Sequence, residues 1–305
     1  MMHAIEISGI SKTYELVSAL DQISFQVETG EIFGLIGPDG AGKTSLFRIL
    51  TTLILPDSGT ATILDHDVVA EFRKIRTITG YMPGRFSLYQ DLTVEENLNF
   101  YATVFGTSVQ ENYDLIRDIY QHIEPFQTRK AGKLSGGMKQ KLALSCALIH
   151  RPAVLILDEP TTGVDAVSRK EFWEMLGRIR DRGITILVST AYMDEASQCD
   201  RIGLIQDGRL LALDTPEAIL QEFDRRLFAV RSDQMYQLIQ DLGRWEHIDT
   251  KFLFGQDVHV TTLPVEHPES ELRKFLESKG HTRITVEDVA PGIEDCFLKL
   301  MKTRT

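Results

Sequence analysis

The sequence is poor in cysteine, and the three that it has, Cys146, Cys199 and Cys296, are far apart. Neither a zinc-binding spacing nor an obvious set of disulfide pairs can be built from them. This usage argues against a small disulfide-stabilised secreted domain and is typical of a protein that folds in a reducing compartment.

The sequence also lacks an excess of positive charge and any long apolar run. With 33 Lys and Arg against 44 Asp and Glu, the formal net charge is −11, so no basic surface argues for nucleic-acid binding. No apolar stretch approaches the ~20 residues that a membrane helix requires, and the N-terminus shows no charged-then-apolar signal pattern. We therefore expect a soluble chain that acts at a membrane only through a partner.

Alternating strand and helix patterns fill the first two thirds of the 305 residues. Segments 5–8 and 23–27 alternate apolar and polar residues, as half-exposed strands do, whereas Ile32–Ile36 is almost continuously apolar. Two further buried strands are predicted over 154–157 and 184–189. Helices are predicted over 43–53 and 169–182, and the stretch 84–150 reads as mainly helical, with a capping box at Thr93–Glu96. The pattern predicts an α/β fold: a parallel sheet, an antiparallel N-terminal β subdomain and a helical subdomain.

The composition changes after Thr215-Pro216. The remaining patterns predict strands at 226–231, 249–254, 257–262 and 282–287, and helices at 233–243, 268–279 and 292–302. Their order, β-α-β-β-α-β, is that of a ferredoxin-like sandwich. We therefore expect two domains, one over 1–216 and a small α+β accessory domain over 217–305.

A phosphate-binding loop is predicted over residues 37–44, Gly-Pro-Asp-Gly-Ala-Gly-Lys-Thr, which fit G-x-x-x-x-G-K-[ST] between a strand and a helix. The glycines let backbone N–H groups turn towards phosphate oxygens, and the helix N-terminus favours negative charge. Lys43 is expected to hold the β- and γ-phosphates and Thr44 to bind Mg²⁺; a glycine-rich turn without ligand is the alternative. The predicted loop contacts are Gly37, Pro38, Asp39, Gly40, Ala41, Gly42, Lys43, Thr44 and Ser45.

Two carboxylates end the apolar strand of the segment Leu-Ile-Leu-Asp-Glu-Pro, residues 155–160. We expect Asp158 to orient Mg²⁺ together with Thr44, and Glu159 to polarise the attacking water as a general base. The alternative is a pair of purely structural carboxylates.

The segment Leu-Ser-Gly-Gly-Met-Lys-Gln, residues 134–140, lies between these two motifs. In this order and spacing, the three motifs resemble those of the ATP-binding subunit of an ATP-binding-cassette (ABC) transporter, over about residues 5–216. The resemblance implies a P-loop ATPase that uses ATP and Mg²⁺, with Lys43 and Glu159 as its catalytic residues.

Further contacts are implied by the resemblance. Ser135, Gly136 and Gly137 would form the ABC signature, which acts in trans on ATP held by a second cassette in a head-to-tail dimer. Asp165 would belong to the D-loop at that interface, and Tyr14 would stack on adenine. The alternatives are a plain helix cap, a solvated turn and an ordinary core or surface aromatic.

The chain departs from the family pattern at two positions. Gly84 stands where ABC subunits have a glutamine that touches Mg²⁺ and water, and Ala191 stands where they have a histidine that contacts the γ-phosphate. Loss of such a group typically costs ~10²–10⁴ in rate. His66 and His150 lie in other segments and are expected to be ordinary surface residues.

Both departures affect one composite site, so the hypothesis is an asymmetric cassette pair in which this chain's own site is slow. The rivals are a homodimer in which other groups position the water, and substitutions that were introduced deliberately.

The resemblance further implies an ATPase that drives export, of the bacterial multidrug-efflux type. Residues 84–105 are the candidate contact for a separate multi-helix permease, and 291–297 also resemble such subunits. The expected location is peripheral, at the cytoplasmic face of the inner (plasma) membrane. The alternatives are a plain surface at 84–105 and, for the whole chain, a non-transport ATP-binding regulator or scaffold.

Overall fold

The computed structural model describes residues 3–303 as two compact units that divide between Pro216 and Glu217. The strands are β1 His3–Tyr14, β2 Val17–Glu28, β3 Ile32–Ile36, β4 Ser58–Ile63, β5 His66–Asp67, β6 Thr79–Met82, β7 Val154–Asp158, β8 Thr185–Thr190, β9 Arg201–Gln206, β10 Arg209–Asp214, β11 Leu227–Arg231, β12 Ile248–Phe254, β13 Asp257–Thr262 and β14 Thr285–Val289. The α-helices are α1 Lys43–Leu50, α2 Phe72–Ile78, α3 Val94–Val104, α4 Tyr113–Tyr120, α5 Gly136–Leu148, α6 Ala166–Arg180, α7 Pro216–Gln221, α8 Met235–Leu242, α9 Pro268–Ser278 and α10 Ile293–Thr303.

Two sheets build the first unit. One is antiparallel, in the order β2-β1-β4-β5, and the other runs β10-β9-β3-β8-β7-β6. In the second sheet every pair from β9 to β6 is parallel, and only β10 pairs with β9 in the antiparallel sense. Apolar side chains from both sheets and from α1 share one core. The α/β class with its antiparallel β subdomain is therefore confirmed.

The buried central strands explain why the sequence patterns worked. β3 and β7 are buried at every residue, as a parallel strand covered on both faces must be. The capping box is present: Thr93 Oγ1 accepts from Glu96 N–H at 3.2 Å, and Glu96 Oε2 accepts from Thr93 N–H at 2.8 Å. These two bonds satisfy donors that the first turn of α3 would leave unpaired.

Several predicted bounds are wrong. The helix expected to reach residue 53 ends at Leu50, because Thr52 adopts a left-handed φ of 62° that an α-helix cannot continue. The helix expected at 169–182 begins earlier, at Ala166, because Asp165 caps it. Within 84–150, helices are separated by irregular stretches such as 84–93 and 105–112.

The second unit has one antiparallel sheet in the order β12-β13-β11-β14. Helix α8 joins β11 to β12 and α9 joins β13 to β14, and in each case one strand lies between the two that are joined. This is the split β-α-β arrangement predicted for a ferredoxin-like sandwich. Its last strand is shifted from the predicted 282–287 to Thr285–Val289.

Within residues 3–303, none of the helices combines the length and the apolar character needed to cross a bilayer.

Candidate functional site

The order of the parallel strands brings separate motifs to one edge of the sheet. β3, β8, β7 and β6 are neighbours, so their carboxyl ends lie side by side. Gly37, just after β3, donates its N–H to the carbonyl of Thr190 at the end of β8, at 3.2 Å. Glu159, just after β7, donates its N–H to the carbonyl of Ser189, at 3.1 Å. Backbone hydrogen bonds therefore hold the phosphate loop and the acidic strand end against the end of β8, which Ala191 follows.

The phosphate loop has a shape that requires glycine at Gly42, the N-cap of α1. Gly42 has a φ of 106°, and a Cβ atom there would lie 2.3 Å from the carbonyl oxygen of Ala19. The loop closes through a hydrogen bond from Ala41 N–H to the Pro38 carbonyl, at 3.2 Å. It delivers the chain to the N-terminus of α1, where free N–H groups favour an anion.

The Lys43 side chain is buried, with 3% of its surface exposed. Its Nζ donates hydrogen bonds to the carbonyls of Gly37, at 2.7 Å, and Pro38, at 3.0 Å. The same Nζ lies 3.0 Å from Oε1 of Glu159. The ammonium therefore lies between the loop and the expected general base, and phosphate oxygens compete directly with these partners.

Asp158 is buried and accepts two hydroxyl hydrogen bonds on the same oxygen, Oδ1. Thr44 Oγ1 donates at 3.1 Å and Ser189 Oγ at 2.8 Å. Burial raises the pKa of Asp158, and the two hydroxyl donors counteract only part of that effect. A nearby cation would compensate this desolvated carboxylate, so the site suits one.

Oxygen donors of this kind fit Mg²⁺. Among residues 3–303 no group of three or more His, Cys, Asp or Glu side chains is arranged to hold a metal. Mg²⁺ typically takes one or two protein carboxylates and completes its shell with water and substrate phosphates. Thr44 and Asp158, the predicted ligands, are in direct contact.

Glu159 adopts a left-handed φ of 48°, which is uncommon outside glycine. Ser189 supports this conformation, because its Oγ accepts from Glu159 N–H at 2.9 Å while donating to Asp158. Ser189 is a functional residue that was not predicted from the sequence. The available signal was a hydroxyl residue near the end of an otherwise apolar strand, at the same sheet edge.

Gly84 lies directly against Asp158. A Cβ atom at position 84 would lie 3.1 Å from the Asp158 carbonyl oxygen and 3.8 Å from its Oδ2. Ala191 follows Thr190, whose carbonyl contacts the phosphate loop. Both departures from the family pattern are therefore at the site, and neither residue offers a polar side chain to it.

His150 is not the ordinary surface residue that was expected. It is half-buried and stacks on Phe105, with ring centroids 3.8 Å apart. Burial lowers the pKa of His150, so the neutral ring is favoured. His66 is half-buried and pairs with Glu71 at 2.8 Å, outside the site.

The predicted signature glycines, Gly136 and Gly137, lie beside the predicted D-loop, residues 162–165. Ser135 caps α5 and accepts from Met138 N–H at 3.4 Å. Cβ positions built on Gly136 and Gly137 have their nearest neighbours in Gly163, at 3.6 Å, and in Ser168 Oγ, at 3.0 Å. The N-termini of α5 and α6 therefore meet at one surface patch.

Asp165, the predicted D-loop contact, caps α6. Its carboxylate accepts from the N–H of Ser168 at 3.0 Å and from its hydroxyl at 2.8 Å. These two hydrogen bonds hold the pKa of Asp165 below its usual range.

Tyr14 ends β1 and is 42% exposed. The hairpin that it opens continues into Ala19, whose carbonyl lies against Gly42 of the phosphate loop. The ring therefore stands on the hairpin that flanks the loop, with Lys12 Nζ over it at 5.8 Å from the ring centroid.

A second buried carboxylate anchors the segment that follows β8. Glu195 is 4% exposed and accepts hydrogen bonds from Thr161, at 3.0 Å, and Thr190, at 2.6 Å. Arg169 of α6 lies 3.8 Å from its other oxygen. This cluster was not predicted from the sequence, because its members come from three separate segments.

Comparison with known proteins identifies the family of the chain. Residues 20–162 match the family described as ABC transporter. The chain is 37% identical over 304 residues to the probable multidrug ABC transporter ATP-binding protein YbhF of Escherichia coli (strain K12), covering 97% of this chain and 52% of that protein. It thus spans about half the length of that relative. It is also 39% identical over 301 residues to the Nod factor export ATP-binding protein I of Burkholderia lata, covering 97% of this chain and 96% of that protein.

Solved structures show the same fold. An ATP-binding subunit of an ABC transporter superposes with a TM-score of 0.66 at 28% identity, covering 72% of this chain and 93% of that one. A dimeric ATP-binding cassette in a post-hydrolysis state, bound to ADP and Pi, gives a TM-score of 0.63 at 25% identity, covering 69% and 98%. The chain matches the Burkholderia lata relative along almost the whole length of both proteins, and its phosphate loop lies beside the acidic strand end. The chain therefore belongs to the family of ABC transporter ATP-binding proteins.

Proposed function

We propose that this chain is the ATP-binding subunit of an ABC exporter, and that its own ATP site is the slow one of an asymmetric pair. Residues 1–216 would form the cassette and 217–305 an accessory domain. The observation that carries the proposal is the assembled edge where Lys43, Asp158 and Glu159 meet while Gly84 beside them has no side chain. The names of the relatives, multidrug and Nod factor export proteins, support the export role.

Nucleotide binding would exchange the contacts of Lys43. Its ammonium would leave the Gly37 and Pro38 carbonyls for phosphate oxygens, which are stronger partners for a cation. Tyr14 would cover the adenine. Thr44 and Asp158 would hold Mg²⁺, which neutralises charge that develops on the phosphates.

Hydrolysis would depend on the release of Glu159. Its Oε1 is paired with Lys43 at 3.0 Å, and a carboxylate in an ion pair is a weaker base towards water. Once Lys43 turns to phosphate, the carboxylate is free to orient a water for in-line attack. Without side-chain help from positions 84 and 191, this step would be slow.

The second cassette would supply what this chain lacks and use what it has. Ser135, Gly136 and Gly137 would close on ATP held by the partner, with Asp165 at the same interface. The contact between signature and D-loop supports this reading, because the two helix N-termini face one patch. A heterodimer with a catalytically complete cassette fits this arrangement best; a homodimer would carry two slow sites.

The contact with a multi-helix permease would be made through about 84–105, at the cytoplasmic face of the plasma membrane. A groove of about 430 Å³ lies there, with a mostly apolar wall that includes Leu53, Leu88, Tyr101 and Val104. Val104 is 61% exposed at its rim. An apolar groove of this size suits a short helix from another chain.

The first test is Mg²⁺-dependent ATP hydrolysis by the purified chain, with ATP binding measured in parallel and Lys43→Ala as control. Binding that the control loses, with almost no turnover, supports the slow site. Turnover of about 1 s⁻¹ or faster, lost in the control, would overturn the asymmetric model, because such a rate is in the ordinary enzyme range.

The second test concerns the permease. Val104→Glu is expected to abolish co-purification of a multi-helix membrane protein, whereas Val69→Glu, at another exposed valine, is not. If the wild-type chain brings down no membrane protein, the export role is contradicted and a regulator or scaffold is favoured.

A further inference from the structure

The helical subdomain contains a second cavity that the ATP site does not use. It has a volume of about 450 Å³ and shares no lining residue with the groove proposed for the permease. Its wall comes from α3, α4 and the turns around them, all within the first unit. The volume is within the range of small-molecule sites.

Two tyrosine rings form one side of this cavity. Tyr113 and Tyr120 meet edge to face, with ring centroids 6.1 Å apart and an interplanar angle of 88°. Tyr120 is only 5% exposed, and it lines the cavity together with Tyr113.

Two carboxylates complete the wall. Glu124 accepts a hydrogen bond from the Tyr113 hydroxyl at 3.0 Å, which leaves its other oxygen available. Glu95 lies on α3 beside it. Within residues 3–303, no Lys, Arg or His contributes to the wall.

The pKa of Tyr120 is consistent with a negatively charged cavity. Burial, followed by the negative charges of Glu124 and Glu95, raises the pKa of Tyr120 to about 12. The hollow is therefore negative and aromatic, with apolar contact available from Leu98.

We propose that this cavity binds a small organic cation, a quaternary or protonated amine with a compact apolar body. The cation would contact the Tyr113 and Tyr120 rings and the carboxylates of Glu95 and Glu124, all of which line the cavity. Ring faces attract such cations, and a quaternary ammonium loses little hydration when it leaves water. A bare metal ion is a poor fit, because aromatic rings cannot replace its oxygen ligands. The inference concerns binding alone and does not depend on the proposed export activity.

The test uses choline as the probe and 3,3-dimethyl-1-butanol, its neutral isostere, as the matched ligand, in isothermal titration of the full chain. Choline is expected to bind saturably and the neutral alcohol not to bind. The double variant Glu95→Gln/Glu124→Gln is expected to weaken choline binding about tenfold or more, and Tyr113→Leu to weaken it as well. The control Glu174→Gln removes an exposed carboxylate from α6 and should change nothing.

Folding of each variant is checked by ATP binding at the phosphate loop, which these substitutions do not touch. Equal binding of choline and the neutral alcohol would show an apolar hollow without charge selectivity and would overturn the proposal. So would the absence of choline binding, or choline binding that the Glu95→Gln/Glu124→Gln variant leaves unchanged while it still binds ATP.

Discussion

Replacing Gly84 with Gln and Ala191 with His is expected to convert the site that we propose to be slow into an efficient one. The rest of the site is in place: Lys43 and Glu159 are in contact, and Asp158 is held by two hydroxyl groups. What is missing is side-chain chemistry at two positions, and both positions border the site.

The local geometry permits the first substitution. Gly84 does not have a left-handed φ, so an L side chain is allowed there. Its Cβ would lie 3.8 Å from Asp158 Oδ2, close enough for a glutamine amide to reach this carboxylate, the predicted Mg²⁺ ligand. The Cβ would also lie 3.1 Å from the Asp158 carbonyl, so that strand end must shift by a few tenths of an ångström.

The size of the gain follows from the role of such groups. One positioned acid–base or charge-stabilising group contributes ~10²–10⁴ in rate. Two groups that act on the same transition state are not additive. We therefore expect the double variant to gain about 10²–10⁴ in kcat over the wild type rather than the product of two such factors, with a smaller gain from each single variant.

The assay is steady-state phosphate release by the wild type, both single variants and the double variant, with the Kd for ATP measured for each. Glu159→Gln in the doubly substituted background is the control and should abolish the gain. A double variant that binds ATP as tightly as the wild type and hydrolyses it no faster would refute the reasoning. A gain that survives Glu159→Gln would also refute it, since the reaction would then lie elsewhere.

Two further predictions concern Asp158 and Ser189 of the site, and a third concerns the capping box of α3. Asp158→Asn should raise the Tm of the nucleotide-free protein by a few degrees. The raised pKa of Asp158 means that folding favours the neutral carboxyl, so stability present at low pH is lost as the pH rises through that pKa. In thermal melts the difference in Tm between the variant and the wild type should therefore widen from acid to neutral pH, and a difference that does not change with pH would argue against this. Ser189→Ala in the Gly84→Gln/Ala191→His background should lower kcat about 10–10²-fold without changing the Kd for ATP, because it loses the hydrogen bonds to Asp158 and to Glu159 N–H. Ser189→Thr should retain most of the rate in the same phosphate-release assay, and equal losses of rate in both variants would contradict a positioning role. Thr93→Ala should lower the free energy of unfolding by about 1 kcal/mol in denaturant titrations, because it removes the capping box. Thr103→Ala, in the last turn of α3, should leave the free energy of unfolding unchanged, and the same loss in both variants would show that the cap is not the cause.

Much of the fold could be predicted from sequence because its signals are local. A buried parallel strand such as β3 is continuously apolar, and a capping box such as that at Thr93 needs residues only three positions apart. The order of elements in the second unit predicted its ferredoxin-like sheet for the same reason. Errors gathered at element ends, where one left-handed residue, as at Thr52, or one cap, as at Asp165, decides the boundary.

The motifs of the site were visible in sequence, but their contacts were not. Lys43 and Glu159 are 116 positions apart, and only the order of the parallel strands brings them to 3.0 Å. The same order places Gly84 against Asp158 and makes Ser189 a bridge between two motifs. No spacing rule predicts such pairs, because they depend on which strands are neighbours.

The sequence by itself therefore determined the chemistry available to this protein: a loop that only glycines can form, a lysine and a threonine at a helix start, and two carboxylates at a strand end. The tertiary structure decided how that chemistry is arranged. It pairs Lys43 with Glu159, buries Asp158 so that its pKa rises, and forms a cavity whose wall includes Tyr113, Tyr120 and two carboxylates. The physical reason is that backbone preferences act over a few residues, whereas burial and charge depend on segments that only the packed sheet and helices bring together.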